Sequence, residues 1–208
     1  MHRRSTLLVL ILFPFFLFAQ DWKMVQANDP MLTGLKSALA GMKSIKGDIR
    51  QEKSFAFLTD KLVSTGIFIY QKENKLRWEF KEPIDYIILI NESTMRLREE
   101  GVEKKYKGIN QILRQVKEII LGCIDGSIMS NPNYKTVFAT NGTNIRIQLQ
   151  PKEKNLKEFI KQIEVQFAKS GSILKKVTLT DPSGDMTDIH FSNVQSNQKI
   201  DAALFADF

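Results

Sequence analysis

The residues whose types most directly suggest nucleophilic or transition-metal chemistry are Cys123, the only cysteine, and His190, the only histidine after His2. A thiol with an imidazole as its base makes a hydrolytic nucleophile. The local context of each residue argues against that use. Cys123 continues the apolar stripe of a helix, which reads as a buried structural thiol. His190 lies between Ile189 and Phe191 in an alternating segment, so its ring points to the polar face of a strand. One Cys and one His cannot build a zinc or copper cluster. Asp181, Asp185 and Asp188 depart from the spacing of a calcium loop, and Pro182-Ser183-Gly184 among them reads as a hairpin turn. No G-x-S-x-G elbow, phosphate loop or dinucleotide fingerprint occurs. The expectation is therefore a non-enzyme with no cofactor and no metal. An exported hydrolase is the alternative, and its activity would disappear on replacing Cys123 or His190.

Apolar side chains are more informative. Phe55, Phe57, Phe68, Trp78, Phe80, Phe138, Phe159, Phe167 and Phe191 are large rings spread over a chain with few helices to cover them. They either fill an ordinary core or outline a cavity for an alkyl chain, in which each buried methylene is worth about 0.8 kcal/mol. Composition leaves both readings open.

The elements that would position these rings are legible from period and punctuation. His2, Arg3 and Arg4 precede the apolar run Leu7 to Ala19. That pattern is expected to be a cleaved secretory signal over residues 1–19, its apolar core too short to span a bilayer, with one domain over 20–208. The formal charge of +7 falls to +5 once Arg3 and Arg4 are removed. Lysines are dispersed over amphipathic strands with no Arg-rich run or aromatic RNA-binding signature. Nucleic-acid binding is not expected, and weak attraction to membrane surfaces stays open.

Asp29-Pro30 opens a helix that places Leu32, Leu35, Leu39 and Met42 on one face. From Ile45 the period becomes two, through Ile49, Leu62 to Gln71, and Leu76, Trp78 and Phe80. Glu82-Pro83 interrupts pairing before a more continuously apolar strand, Ile84 to Ile90. Shorter strands follow at Thr94 to Arg98 and Val102 to Lys107. Between Gly108 and Gly122 a helical stripe returns, made of Ile109, Ile112, Leu113, Val116, Ile119 and Ile120, with the glycines as breaks that let the helix move. Strands resume at Tyr134 to Ala139 and Ile145 to Leu149 around the turn Asn141-Gly142, where both residues tolerate positive φ. The last strands run through Ile163 to Phe167, Ile173 to Thr180 and Ile189 to Phe191. Clean alternation means one wet and one dry face per strand, as in antiparallel sheets. The expected fold is α+β and mainly antiparallel β: an unclosed, strongly curved half-barrel with an α-helical lid over a hydrophobic cavity.

The run Tyr70-Gln71-Lys72-Glu73-Asn74-Lys75-Leu76-Arg77-Trp78-Glu79-Phe80, followed by Pro83, resembles the strand-turn-strand of the periplasmic lipoprotein carrier family LolA. So does the ending from Asp181-Pro182-Ser183-Gly184-Asp185 through His190-Phe191-Ser192-Asn193-Val194 to Leu204-Phe205. Ser44-Ile45-Lys46-Gly47 leading into a strand that carries Gln51 fits the same order of elements, and the likeness covers nearly all the chain after the leader. It implies a monomeric periplasmic carrier that accepts acylated lipoproteins from an inner-membrane ABC transporter, shields their acyl chains and delivers them to the outer membrane through a LolB-type receptor. On this resemblance the cavity and lid would be formed by Phe68, Leu76, Trp78, Phe80, Ile109, Ile112, Leu113, Val116, Ile119 and Ile120. The family's latch arginine, in the turn after its second strand, aligns with Lys72, and the proline that usually follows aligns with Glu73. Lysine keeps the charge and loses the planar fork of donors. The alternative on the same scaffold is a lipid-binding envelope sensor or a specialised lipid carrier.

Overall fold

A computed structural model describes residues 21–92, 94–104, 110–170, 173–206 and 208, with 110–116 described as helix backbone only. The expected signal segment, Gly108 and Ile109 lie outside these residues, as do the side chains of Ile112, Leu113 and Val116. Among the described residues there are twelve strands: β1 (Lys23–Val25), β2 (Ser44–Ser54), β3 (Lys61–Gln71), β4 (Lys75–Glu82), β5 (Tyr86–Asn91), β6 (Thr94–Glu99), β7 (Val102–Lys104), β8 (Tyr134–Thr140), β9 (Asn144–Pro151), β10 (Gln162–Ala168), β11 (Ile173–Thr180) and β12 (Met186–Ser196). The helices are α1 (Pro30–Ala40), α2 (Asn110–Asp125) and α3 (Lys154–Lys157), with 3-10 turns at Ser127–Ser130 and Ala202–Phe205.

All strands join one antiparallel sheet in the order β1-β8-β9-β10-β11-β12-β2-β3-β4-β5-β6-β7. It consists of two meanders, β2 to β7 and β8 to β12, joined where β12 pairs with β2. The two edges, β1 and β7, do not pair with each other, so the sheet is unclosed. The expected half-barrel is the observed fold, with β1 as a short edge strand that its three residues gave no periodicity to reveal.

Register carries the alternation from strand to strand. Phe68 faces Trp78, which faces Ile88, and Ile147 faces Val165, which faces Val177, which faces Ile189. These side chains fall on the dry, concave face. The opposite face carries ion pairs: Arg50 with Glu52, Lys61 with Glu52 at 3.0 Å, Arg77 with Glu79 at 2.8 Å and Lys176 with Asp188 at 3.0 Å. In β3 the register against β4 slips between Thr65 and Gly66. A Cβ on Gly66 would stand 1.9 Å from the Glu79 carbonyl oxygen, so the strands approach there at a distance that no side chain allows.

Helix α1 begins as its sequence requires. The Asp29 carboxylate accepts the Met31 N–H at 2.8 Å, Pro30 occupies the first position, and Leu32, Leu35 and Leu39 are buried.

Four expectations are corrected. Phe57 and Phe159, expected among the rings of the core or cavity, are exposed at 80% and 50%. Helix α2 does not break at Gly122. It runs through to Asp125, and Gly126, at φ +76°, ends it, so the glycine hinge expected at Gly122 is an interior helical position. The fifth strand starts at Tyr86, leaving Ile84 in the loop after Pro83. Its apolar character persists because it is covered on both sides: Ile88 and Ile90 face the concavity, while Ile87 and Leu89 are buried on the outer face. The 3-10 turn Ala202–Phe205 packs on β4 and β5, with Phe205 buried and Arg77 donating to the Leu204 carbonyl at 3.4 Å. In the β8–β9 hairpin only Gly142 has positive φ; the Asn141 side chain instead accepts the Thr143 and Asn144 N–H groups at 3.2 and 2.8 Å. The seventh strand is described only as far as Lys104.

Candidate functional site: an apolar cavity under helix α2

A row of rings crosses the concave face. Phe191 meets Phe68 edge-on at a centroid distance of 5.0 Å, Phe68 lies 6.2 Å from Trp78, Trp78 lies 6.3 Å from Phe80, and Phe80 lies 6.5 Å from Tyr86. The far end of this row is not filled by the described side chains. A cavity of about 410 Å³ lies between the sheet and α2, within the size range of small-molecule and lipid sites. Trp78, Phe80, Tyr86 and Ile88 wall it from the sheet, and Ile119 and Ile120 close it from the helix. Gln51, Ser64, Glu99 and Thr187 are the polar side chains on its lining.

The residues singled out from the sequence therefore divide. Trp78, Phe80, Ile119 and Ile120 line the cavity. Phe68 and Leu76, both at 0% exposure, sit in the closed core beside it. Ile84, Tyr86, Ile88, Ile160, Leu179 and Ile189 also line the cavity and were not singled out. Tyr86 and Ile88 could have been found by carrying the phase of Phe80 and Trp78 across the β4–β5 register. Ile160 comes from the connection after α3 and carries no periodic signal.

Lys72 is placed elsewhere. Its ammonium donates to the carbonyl oxygen of Ala40, the last residue of α1, at 2.9 Å, and its own N–H donates to the Lys43 carbonyl at 2.8 Å. The contact thus ties the β3–β4 turn to α1. Glu73 has φ +77°, which the ring of a proline cannot adopt, so the turn differs in backbone from one carrying proline there.

The candidates for catalysis are kept apart. Cys123 is buried in α2 on the concave side, and burial with Asp125 nearby pushes its thiol up to about 12. His190 stands on the outer face, in register with Lys176 on one side and Arg50 on the other, and burial and those cations lower its pKa. Cys123 and His190 therefore do not meet. Among the described residues no three His, Cys, Asp or Glu side chains are grouped so as to hold a metal ion, and no helix is long and apolar enough to cross a membrane.

Fold and cavity together define a class: an open antiparallel half-barrel whose apolar interior is covered by a helix. The sequence model of the outer membrane lipoprotein carrier protein LolA family matches residues 40–207, and the chain belongs to that family. A comparison with curated proteins found no match. Among solved structures it is similar to a LolA superfamily protein from Nitrosomonas europaea, at 7% identity and a TM-score of 0.41, covering 83% of this chain and 96% of that one. It is also similar to a domain described as an outer membrane lipoprotein-sorting protein from Vibrio parahaemolyticus, at 10% identity and a TM-score of 0.42, covering 84% and 94%. A third likeness is to the MucA/MucB complex of Pseudomonas aeruginosa, at 10% identity and a TM-score of 0.36, covering 84% of this chain and 59% of that one.

Proposed function

We propose that this chain is a periplasmic carrier that takes the acyl chains of lipoproteins into the cavity beneath α2 and shuttles them from the inner to the outer membrane. The observation that carries this reading is the unfilled apolar space of about 410 Å³ walled by Trp78 and Phe80 and covered by Ile119 and Ile120. Removing an alkyl chain from water is favourable by about 0.8 kcal/mol per methylene, so the site needs no charged partner to hold its cargo. The helix supplies a cover that a guest displaces, because its contacts with the cavity are apolar and without direction. An inner-membrane ABC transporter would load the carrier and a LolB-type receptor would unload it. Residues 1–19 would direct export and be cleaved. The test is saturable binding of a fluorescent fatty acid and of an acylated lipoprotein by the purified protein. Mass spectrometry of what copurifies from the native periplasm identifies the cargo. Absence of saturable binding to either ligand overturns the proposal.

A further inference from the structure

The exposed apolar side chains are not scattered. Register places the ends of β2, β4, β6, β9 and β11 and the starts of the strands that follow them on one rim of the half-barrel: Ser54 pairs with both Lys61 and Met186, Phe80 with Tyr86, Gln162 with Thr180, and Tyr134 with Pro151. Phe57, at 80% exposure, Leu58, Leu62, Ile84, Val102, Phe159, at 50%, and Met186 all belong to this rim or its loops. Met24, Ile173 and Leu204 are the exposed large apolar residues placed elsewhere. Single exposed hydrophobes need no explanation, but a set gathered on one rim does.

Two further observations say what covers it. The cavity under α2 opens here: Ile84 and Ile160, from the loops of this rim, are part of its lining. Ile160 also lines a second, shallow groove of about 550 Å³ whose other walls include Lys135, Lys152, Lys157 and Lys161. None of these four lysines forms an ion pair among the described residues, Lys152 donating only to the Pro132 carbonyl at 2.8 Å, and no acidic side chain lines the groove. Apolar tips between unneutralised lysines, at the mouth of an apolar cavity, match an interface of acyl chains beneath anionic headgroups.

We infer that this rim docks on an anionic bilayer surface, with Phe57, Leu58 and Phe159 entering the headgroup layer and the lysine groove facing lipid phosphates, so that the cavity opens onto the membrane. The inference rests on the carrier reading for its purpose but not for its test. The chain from Gln20, which contains all twelve strands, is sedimented with vesicles of phosphatidylglycerol and phosphatidylcholine in equal parts, and with vesicles of phosphatidylcholine alone. Binding is expected to the anionic vesicles, to weaken with salt, and to fall about tenfold in Phe57→Ser/Leu58→Ser. It should fall similarly in Lys135→Gln/Lys157→Gln/Lys161→Gln, with circular dichroism and fatty-acid binding in solution unchanged in both. No binding to anionic vesicles, or binding that these substitutions leave intact, overturns the inference; a rim that serves a protein partner would give that result. Vesicle binding by a protein without saturable fatty-acid binding would sink the carrier reading while leaving the docking surface standing.

Discussion

The ammonium of Lys72 lies 2.9 Å from the carbonyl oxygen of Ala40, which makes the lysine a tie between the β3–β4 turn and the C-terminus of α1. A cation at a helix C-terminus satisfies an orphan carbonyl and opposes the partial negative charge there. The partner is α1 rather than α2, the helix over the cavity. Lys72→Met is therefore expected to lower stability by about 0.5–1 kcal/mol while leaving fatty-acid affinity within about twofold. Urea denaturation alongside probe titration checks this, and a large change in affinity at unchanged stability would show that the tie acts on the lid.

Replacing the cavity wall should act in the opposite way. Trp78→Asp or Phe80→Asp introduces a charge into apolar surroundings and is expected to abolish probe uptake, far more than Lys72→Ala does. Both rings are buried, so Ile120→Asp is the control for folding: Ile120 is only partly buried, lines the same cavity from α2, and should lose at least about tenfold in affinity with the circular dichroism spectrum retained.

The slip in register at Gly66 gives a backbone prediction. Because a Cβ there meets the Glu79 carbonyl at 1.9 Å, Gly66→Ala must push β3 away from β4 along the strand that carries Trp78. A loss of about 3 kcal/mol or more is expected, read from the midpoint of chemical denaturation, whereas Gly142→Ala, where a Cβ would meet open space, should cost less and only through its positive φ.

Alkaline pH should loosen the fold through three buried acids. Burial raises Cys123 from 9.0, and Tyr70 and Tyr134 from 10.0, to about 12 in each case. The unfolded chain releases these protons first, so their contribution is complete below about pH 9 and is lost progressively as pH rises from there toward 12. Denaturation curves over that range should show falling stability. In the native protein at pH 8, Cys123 should resist iodoacetamide until the chain is unfolded; rapid native alkylation would contradict its burial.

Much of the fold was legible because its signals are local. Alternation through Leu76, Trp78 and Phe80 fixes which side of β4 is dry, and Asp29-Pro30 marks the start of α1, since both follow from backbone geometry within a few residues. The end of α2 was misplaced at Gly122 because glycine is a weak stop inside a helix that tertiary packing holds; Gly122 sits against Ile128, and the chain turns only at Gly126. The cavity itself was half legible: Trp78 and Phe80 announce a dry wall, but nothing in their types separates them from Phe68 and Leu76, which ended in the closed core.

By itself the sequence determined a leader-like pattern of basic then apolar residues and a one-sided antiparallel sheet with two principal helices, while the separation of Cys123 from His190 waited for the fold. Only the tertiary structure decided that space remains beneath Ile119 and Ile120, that Ile160 reaches its mouth, and that Lys72 holds α1. The physical reason is that period and propensity act over neighbouring residues, whereas an unfilled volume depends on how side chains from β4, β5, β12 and α2, far apart in the chain, fail to meet at the density of a closed core.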